Sequence, residues 1–176
     1  MKKLSLFLAT LPALAAVFAF TSAQVWTIKE TYSIQFSNSD VNGIFKKFTG
    51  SIDFDEANLA TSKFNISIDV ASINTGNGLQ NKHAKGEEWF DAAKYPYIKY
   101  TSSKIEKTAT GFKVSGQLEM KGVKKDLSFP FTFVKNGNGG TFNAEFSVNK
   151  NEYKVGKSGD SVGEIIKLKI SIPVKK

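Results

Sequence analysis

From Tyr32 to Val174 the chain alternates apolar and polar residues with a period of two, the pattern of half-buried antiparallel strands. Tyr32, Ile34 and Phe36 share one face, and Phe48, Ile52 and Phe54 another. Phe64, Ile66, Ile68 and Val70 alternate with polar neighbours, and Ile98 and Tyr100 open a later run. Phe112, Val114, Leu118 and Met120 follow, then Leu127, Phe129, Phe131 and Phe133, then Phe142, Ala144, Phe146 and Val148. Ile166, Leu168, Ile170, Ile172 and Val174 close the series. Thr110-Gly111, Lys121-Gly122 and the Asn136–Gly140 stretch supply the turn chemistry that hairpins need. Lys157-Ser158-Gly159-Asp160 forms a polar loop before the last strand. Pro130 falls on an outward position, which predicts an edge or a bulge there.

The alternation stops once, between Ser72 and Tyr100. Asn77 is placed to cap a short helix, with Gln80 three residues on to reach back to it. Leu79 and His83 share a helical face, Lys82 and Lys85 favour the C-terminal end, and Gly86 terminates it. Glu87 and Glu88 begin a further turn that carries Trp89 and Phe90, so a helical insertion is expected over residues 77–90. Tyr95 precedes Pro96 and is therefore extended.

The expected fold is all-β in a single domain. About eight strands, each with one apolar face, bury those faces either in a two-sheet sandwich or in a closed barrel. A barrel of about eight strands is just wide enough to be filled by side chains or to hold one small ligand. Periodicity leaves both architectures open. It also leaves open whether the aromatic phase is core or cavity wall.

The N-terminus changes the domain picture. Lys2 and Lys3 precede an uncharged apolar run from Leu4 to Phe20, and Thr21-Ser22-Ala23 supplies small residues. This predicts a signal peptide cleaved after Ala23, with residues 24–176 as the mature domain in the periplasm or outside the cell. A membrane anchor is the alternative, but the run is at the short limit for a span. There is no cysteine, which removes disulfides, thiol nucleophiles and thiolate metal sites. The formal net charge is +8, and every basic residue is lysine. Without arginine, the usual tool for bidentate recognition of phosphates and bases, no nucleic-acid partner is expected. A lysine-coated soluble surface with a weak attraction to anionic membranes accounts for the charge.

Candidate chemistry concentrates in the insertion, which holds the single histidine, His83, and one of the two tryptophans, Trp89. His83 with Glu87 gives too few ligands for a metal site. As a base His83 has no marked Ser or Cys nucleophile, and a hydrogen bond to a neighbouring loop is its expected role. Asp53, Asp55, Asp69, Glu87, Glu88 and Asp91 form no recognisable carboxylate pair of the kind used in glycoside chemistry and read as solvated. No catalytic residue, metal or resident cofactor is expected.

The same stretch resembles the signature of the YceI-like, polyisoprenoid-binding-like family. Ser72-Ile73-Asn74-Thr75-Gly76-Asn77, His83, Trp89-Phe90-Asp91 and Tyr95-Pro96 followed by Ile98 match in order. Gly43 to Asp55 and Gly122-Val123-Lys124 add blocks upstream and downstream. Gln80 and Asn81 stand where the family has an Arg-Asp pair, and Ala84 where it has leucine. The resemblance implies a lipocalin-like antiparallel barrel whose cavity holds a long isoprenoid or a similar amphipathic lipid. Under that reading Ile66, Ile68, Phe129, Phe131, Phe133, Phe142, Phe146, Leu168 and Ile170 form the wall. Trp89 and Phe90 form a lid, and His83 and Tyr95 are polar contacts. The competing expectation is a filled barrel with an interaction role, and behind it an enzyme acting on a bound lipid.

Overall fold

The computed structural model describes residues 24–176; the apolar N-terminal run and the cleavage expected after Ala23 lie outside them. The described residues form eleven strands and one α-helix. The strands are β1 (Val25–Ile28), β2 (Ser33–Ser37), β3 (Asn42–Phe45), β4 (Phe48–Asp53), β5 (Lys63–Asp69) and β6 (Ile73–Asn74), followed after α1 (Gly78–Lys85) by five longer ones. These are β7 (Tyr97–Thr108), β8 (Gly111–Met120), β9 (Val123–Asn136), β10 (Gly139–Asn149) and β11 (Ile165–Lys175). All pairings are antiparallel, and β1 closes the sheet onto β11. Between the sandwich and the barrel, the chain forms the barrel.

Eleven strands make eight staves because the first three staves are each broken in the middle. Lys167–Ser171 of β11 pair with β2, and Val174 and Lys175 pair with β1, so β1 and β2 lie end to end. Likewise β4 and β3 run along β1 and β2, and β5 and β6 along β4 and β3. Side chains satisfy the backbone at the breaks, as buried polar groups require. The Tyr32 hydroxyl donates to Lys46 O (2.9 Å) and accepts from Phe48 N (3.2 Å). Ser72 Oγ accepts from Lys47 N at 3.0 Å. The eight runs read from the alternation correspond to the eight staves; the short β1, β3 and β6 segments extend three of them.

The Lys121-Gly122 turn has φ of +48° and +74° at its two residues, the geometry of a tight two-residue hairpin. The irregularity that Pro130 predicts is an edge. β9 pairs with β10 only from Thr132 to Asn136, so Pro130 lies where β9 has no β10 partner and its missing N–H breaks no bond on that side. Along this splayed stretch Phe129 and Phe146 stack with ring centroids 4.2 Å apart. The bulge in the sheet is elsewhere, in β7 between Ser102 and Lys104.

One end of the barrel is solid. Phe54 is 1% exposed and meets Phe112, Phe131, Phe133 and Phe142 edge-on, with centroids 5.1–5.6 Å apart. Trp26 packs on Phe133 at 5.1 Å and donates its indole N–H to Phe54 O at 2.9 Å. Such edge-to-face contacts add to the area these rings bury. The other end carries α1 and the long loops. Among the described residues no helix is long and apolar enough to cross a membrane.

Candidate functional site: an apolar cavity with a polar mouth

Above the aromatic plug the barrel is hollow. A cavity of about 520 Å³ runs from Ile52, Phe64 and Phe131 up to α1 and the loop between β10 and β11. Eleven of the residues expected at the site line it: Ile66, Ile68, His83, Trp89, Phe90, Phe129, Phe131, Phe142, Phe146, Leu168 and Ile170. The alternation places the eight strand residues among them, because inward positions of neighbouring staves converge on one axis, and the insertion brings His83, Trp89 and Phe90.

Two expected residues stand elsewhere. Phe133 sits in the plug, its ring 4.4 Å from Phe142 and 5.1 Å from Trp26, below the cavity floor. Tyr95 packs over Gly122, where an added Cβ would come within 2.7 Å of its ring. Gly122 therefore serves two ends: it takes a left-handed φ in the turn and leaves space for Tyr95.

The insertion closes part of the mouth. Asn77 caps α1, its Oδ1 accepting from Leu79 N and Gln80 N at 2.9 and 3.1 Å. Asn81 rather than Gln80 ties the helix back: its Oδ1 accepts from Thr75 N (2.8 Å) and from Thr75 Oγ1 (2.9 Å). Gln80 is thereby left at the cavity mouth. The helix ends at Gly86, whose N–H bonds His83 O, and a turn follows that carries Trp89 and Phe90. The expected loop hydrogen bond of His83 does not form: its ring makes none with the described residues and is exposed at the rim. No group of three or more metal-binding side chains occurs among the described residues.

Three features of the site had no place in the sequence-based expectation. Lys150, just beyond β10, is 4% exposed and reaches the cavity. Its ammonium lies 2.9 Å from Asp160 Oδ2 and 5.2 Å from the Trp89 ring centroid. It also donates to Asn151 Oδ1 at 3.0 Å and makes longer bonds to Val155 O and Lys157 O, at 3.4 and 3.5 Å. Burial opposes the ionisation of Asp160. Hydrogen bonds from Lys150 and from the Lys157 and Val162 N–H groups outweigh it and hold the carboxyl below its ordinary pKa. Tyr100 is the second feature. Its hydroxyl donates to Leu127 O at 3.2 Å, and burial raises its pKa, so the phenol stays protonated. The third is Lys121, which donates to Glu88 O (2.9 Å) and Lys154 O (2.8 Å) and staples the insertion to the β10–β11 loop. Lys150 continues the inward phase of Phe142, Ala144, Phe146 and Val148, a signal the sequence did carry; Asp160 and Lys121 left none.

A UPF0312 protein of Photorhabdus laumondii is 40% identical over 85 residues, covering 48% of this chain and 44% of that protein. The aligned region spans about half the length of the curated relatives it matches. Among solved structures, Burkholderia cenocepacia BcnA superposes with a TM-score of 0.76 at 28% identity, covering 81% of this chain and 95% of that one. A polyisoprenoid binding domain from Saccharophagus degradans, implicated in plant cell wall breakdown, has a TM-score of 0.67 at 13% identity, covering 88% and 99%; this is a likeness of fold. The YceI-like domain model matches residues 21–174, nearly the whole chain. With the barrel, the insertion and the cavity in the order that its motifs implied, this chain belongs to the YceI-like family.

Proposed function

We propose that this barrel is a binding protein that encloses one long apolar chain, a polyisoprenoid or a similar amphipathic lipid, for storage, transport or sequestration outside the cytoplasm. The observation that carries the reading is a barrel plugged at one end and hollow at the other, with an aliphatic and aromatic lining. Its volume falls within the 300–1,000 Å³ typical of small-molecule sites. At about 0.8 kcal/mol per buried methylene, a tail with ten buried carbons gains roughly 8 kcal/mol before the entropic cost of association. Such a tail needs no strong polar anchor. The Saccharophagus degradans domain, itself a polyisoprenoid binder, shares this barrel and supports the choice of ligand class. Binding rather than catalysis suits the lining, which is mostly aliphatic and aromatic. The N-terminal apolar run supports export.

Native mass spectrometry of the protein purified from its own envelope without detergent tests the reading. A discrete excess mass that organic extraction releases is expected. A bare-chain mass, together with no uptake of a hydrophobic dye by the native protein, would overturn it in favour of a barrel that works through its surface.

A further inference from the structure

The mouth of the cavity carries charged groups, and each of them bonds another described residue. Among the described residues Lys150 is the only lysine that lines it, and its three N–H donors face Asp160, Asn151 and two backbone carbonyls, with the Trp89 ring alongside. Asp160 accepts from Lys150 and from the Lys157 and Val162 N–H groups. Asp40 accepts from Gly163 N at 2.8 Å, and Glu88 pairs with Lys157 at 2.8 Å. Among the described residues that line the mouth, an anionic head group would find no lysine free of a partner and would face three carboxylates.

Polar side chains without a partner among the described residues remain. Gln80 and His83 are three residues apart on α1, so they share a helical face, and both line the mouth. Neither side chain makes a hydrogen bond with the described residues. The amide and the imidazole each offer a donor and an acceptor. Such a pair suits a hydroxyl or a carbonyl that arrives still attached to a buried apolar tail.

From this arrangement we infer that the occupant's head group is uncharged, a hydroxyl or carbonyl, and that Gln80 and His83 hold it at the mouth. The inference rests on the lipid-binding reading above and narrows it. The pairing of Lys150 with Asp160 makes that cation part of the wall. Selectivity against negative charge follows from the lining: a phosphate at this mouth meets the carboxylates of Asp40, Glu88 and Asp160, while the Lys150 ammonium is already paired.

The test is a competition between two probes that share a tail, geranylgeraniol and geranylgeranyl monophosphate. They are offered in equal amounts, below micelle concentrations, to the protein after organic extraction, and occupancy is read by native mass spectrometry. The alcohol should win by about tenfold or more, since the carboxylates of the mouth repel a phosphate while a hydroxyl finds partners there. A phosphate share equal to or above the alcohol's would overturn the head-group inference while leaving the lipid-binding reading intact. Binding of neither probe would overturn both. Gln80→Leu and His83→Leu, each at an exposed position, should lower alcohol occupancy several-fold, and unchanged occupancy in both would remove these residues from the site. Gln80→Lys should shift the competition toward the phosphate by about tenfold, because it supplies the missing charge-assisted bond.

Discussion

The Lys150 ammonium and the Asp160 carboxylate form an ion pair at 2.9 Å, their side chains only 4% and 13% exposed, directly against the Trp89 ring. This pair joins the end of β10 to the loop that precedes β11, and both line the cavity mouth. Asp160→Ala leaves an ammonium among neutral acceptors in a buried site. Breaking a buried pair from one side costs about 3 kcal/mol. The double change Lys150→Met/Asp160→Ala removes both charges and should recover most of that loss. Urea unfolding of the three proteins measures it; a double variant no more stable than Asp160→Ala would show that the charges are not the issue.

The same pair sets an acid limit on the mouth. Asp160 has a folded-state pKa lowered from the ordinary 3.8, so its contribution is fully present above that value and is lost as the pH falls through the lowered one. Fluorine NMR of the protein labelled at its two tryptophans reads this directly. The Trp89 resonance should hold its native position down to about pH 4 and move below it. The Trp26 resonance, from the plug, should stay fixed until global unfolding. A Trp89 shift complete by pH 5 would contradict the assignment.

Phe54 and Phe146 are both inward aromatics with different work. Phe54 is fully enclosed in the plug, whereas Phe146 is half-buried, lines the cavity and stacks only on Phe129 there. Phe54→Ala should cost about 4 kcal/mol, as for other buried aromatics, and leave the site's dye or lipid affinity unchanged in whatever fraction folds. Phe146→Ala should cost roughly half as much, because it opens space that is already cavity. Its effect should appear instead as weaker lipid binding. Equal stability losses and equal affinities in the two variants would refute the division into plug and wall.

That division marks how far the sequence can be read. Alternation says which side chains point inward, because a strand's period is two, and it identified the eight staves and most of the lining. It does not give height along the barrel axis. Phe129 and Phe133 share a phase and lie four residues apart, yet one stacks in the cavity and the other lies beneath its floor. The breaks in the first three staves were equally silent, since the Tyr32 hydroxyl and Ser72 replace ladder bonds without disturbing any pattern. Capping-box spacing predicts Gln80 as the partner of the Asn77 N–H, but Thr75 Oγ1 accepts that bond, and Asn81 Oδ1 in turn accepts from Thr75. The family resemblance implies Tyr95 as a polar contact at the site. Its ring packs instead over Gly122, whose missing side chain leaves the space.

Lys121 gives the last prediction. Its backbone sits at φ +48° in the β8–β9 turn, and its ammonium reaches across to Glu88 O and Lys154 O. Gly156 N also bonds Glu88 O, at 3.1 Å, so one carbonyl gathers the insertion, the turn and the β10–β11 loop. Lys121→Met keeps the length of the side chain and removes both donations. Hydrogen bonds from a charged group contribute about 1.5 kcal/mol or more when well formed, and this one is partly solvated, so a loss of about 1 kcal/mol is expected. The loss should be local. Hydrogen exchange of residues 86–92 should speed up about fivefold, the factor that such an energy implies, while amides beside the Phe54 plug keep their rates. The Trp89–Phe90 turn would then be the part of the barrel mouth that opens first. Unchanged exchange across residues 86–92 would mean that the capped helix and its bonds to Asn81 hold the insertion without the lysine.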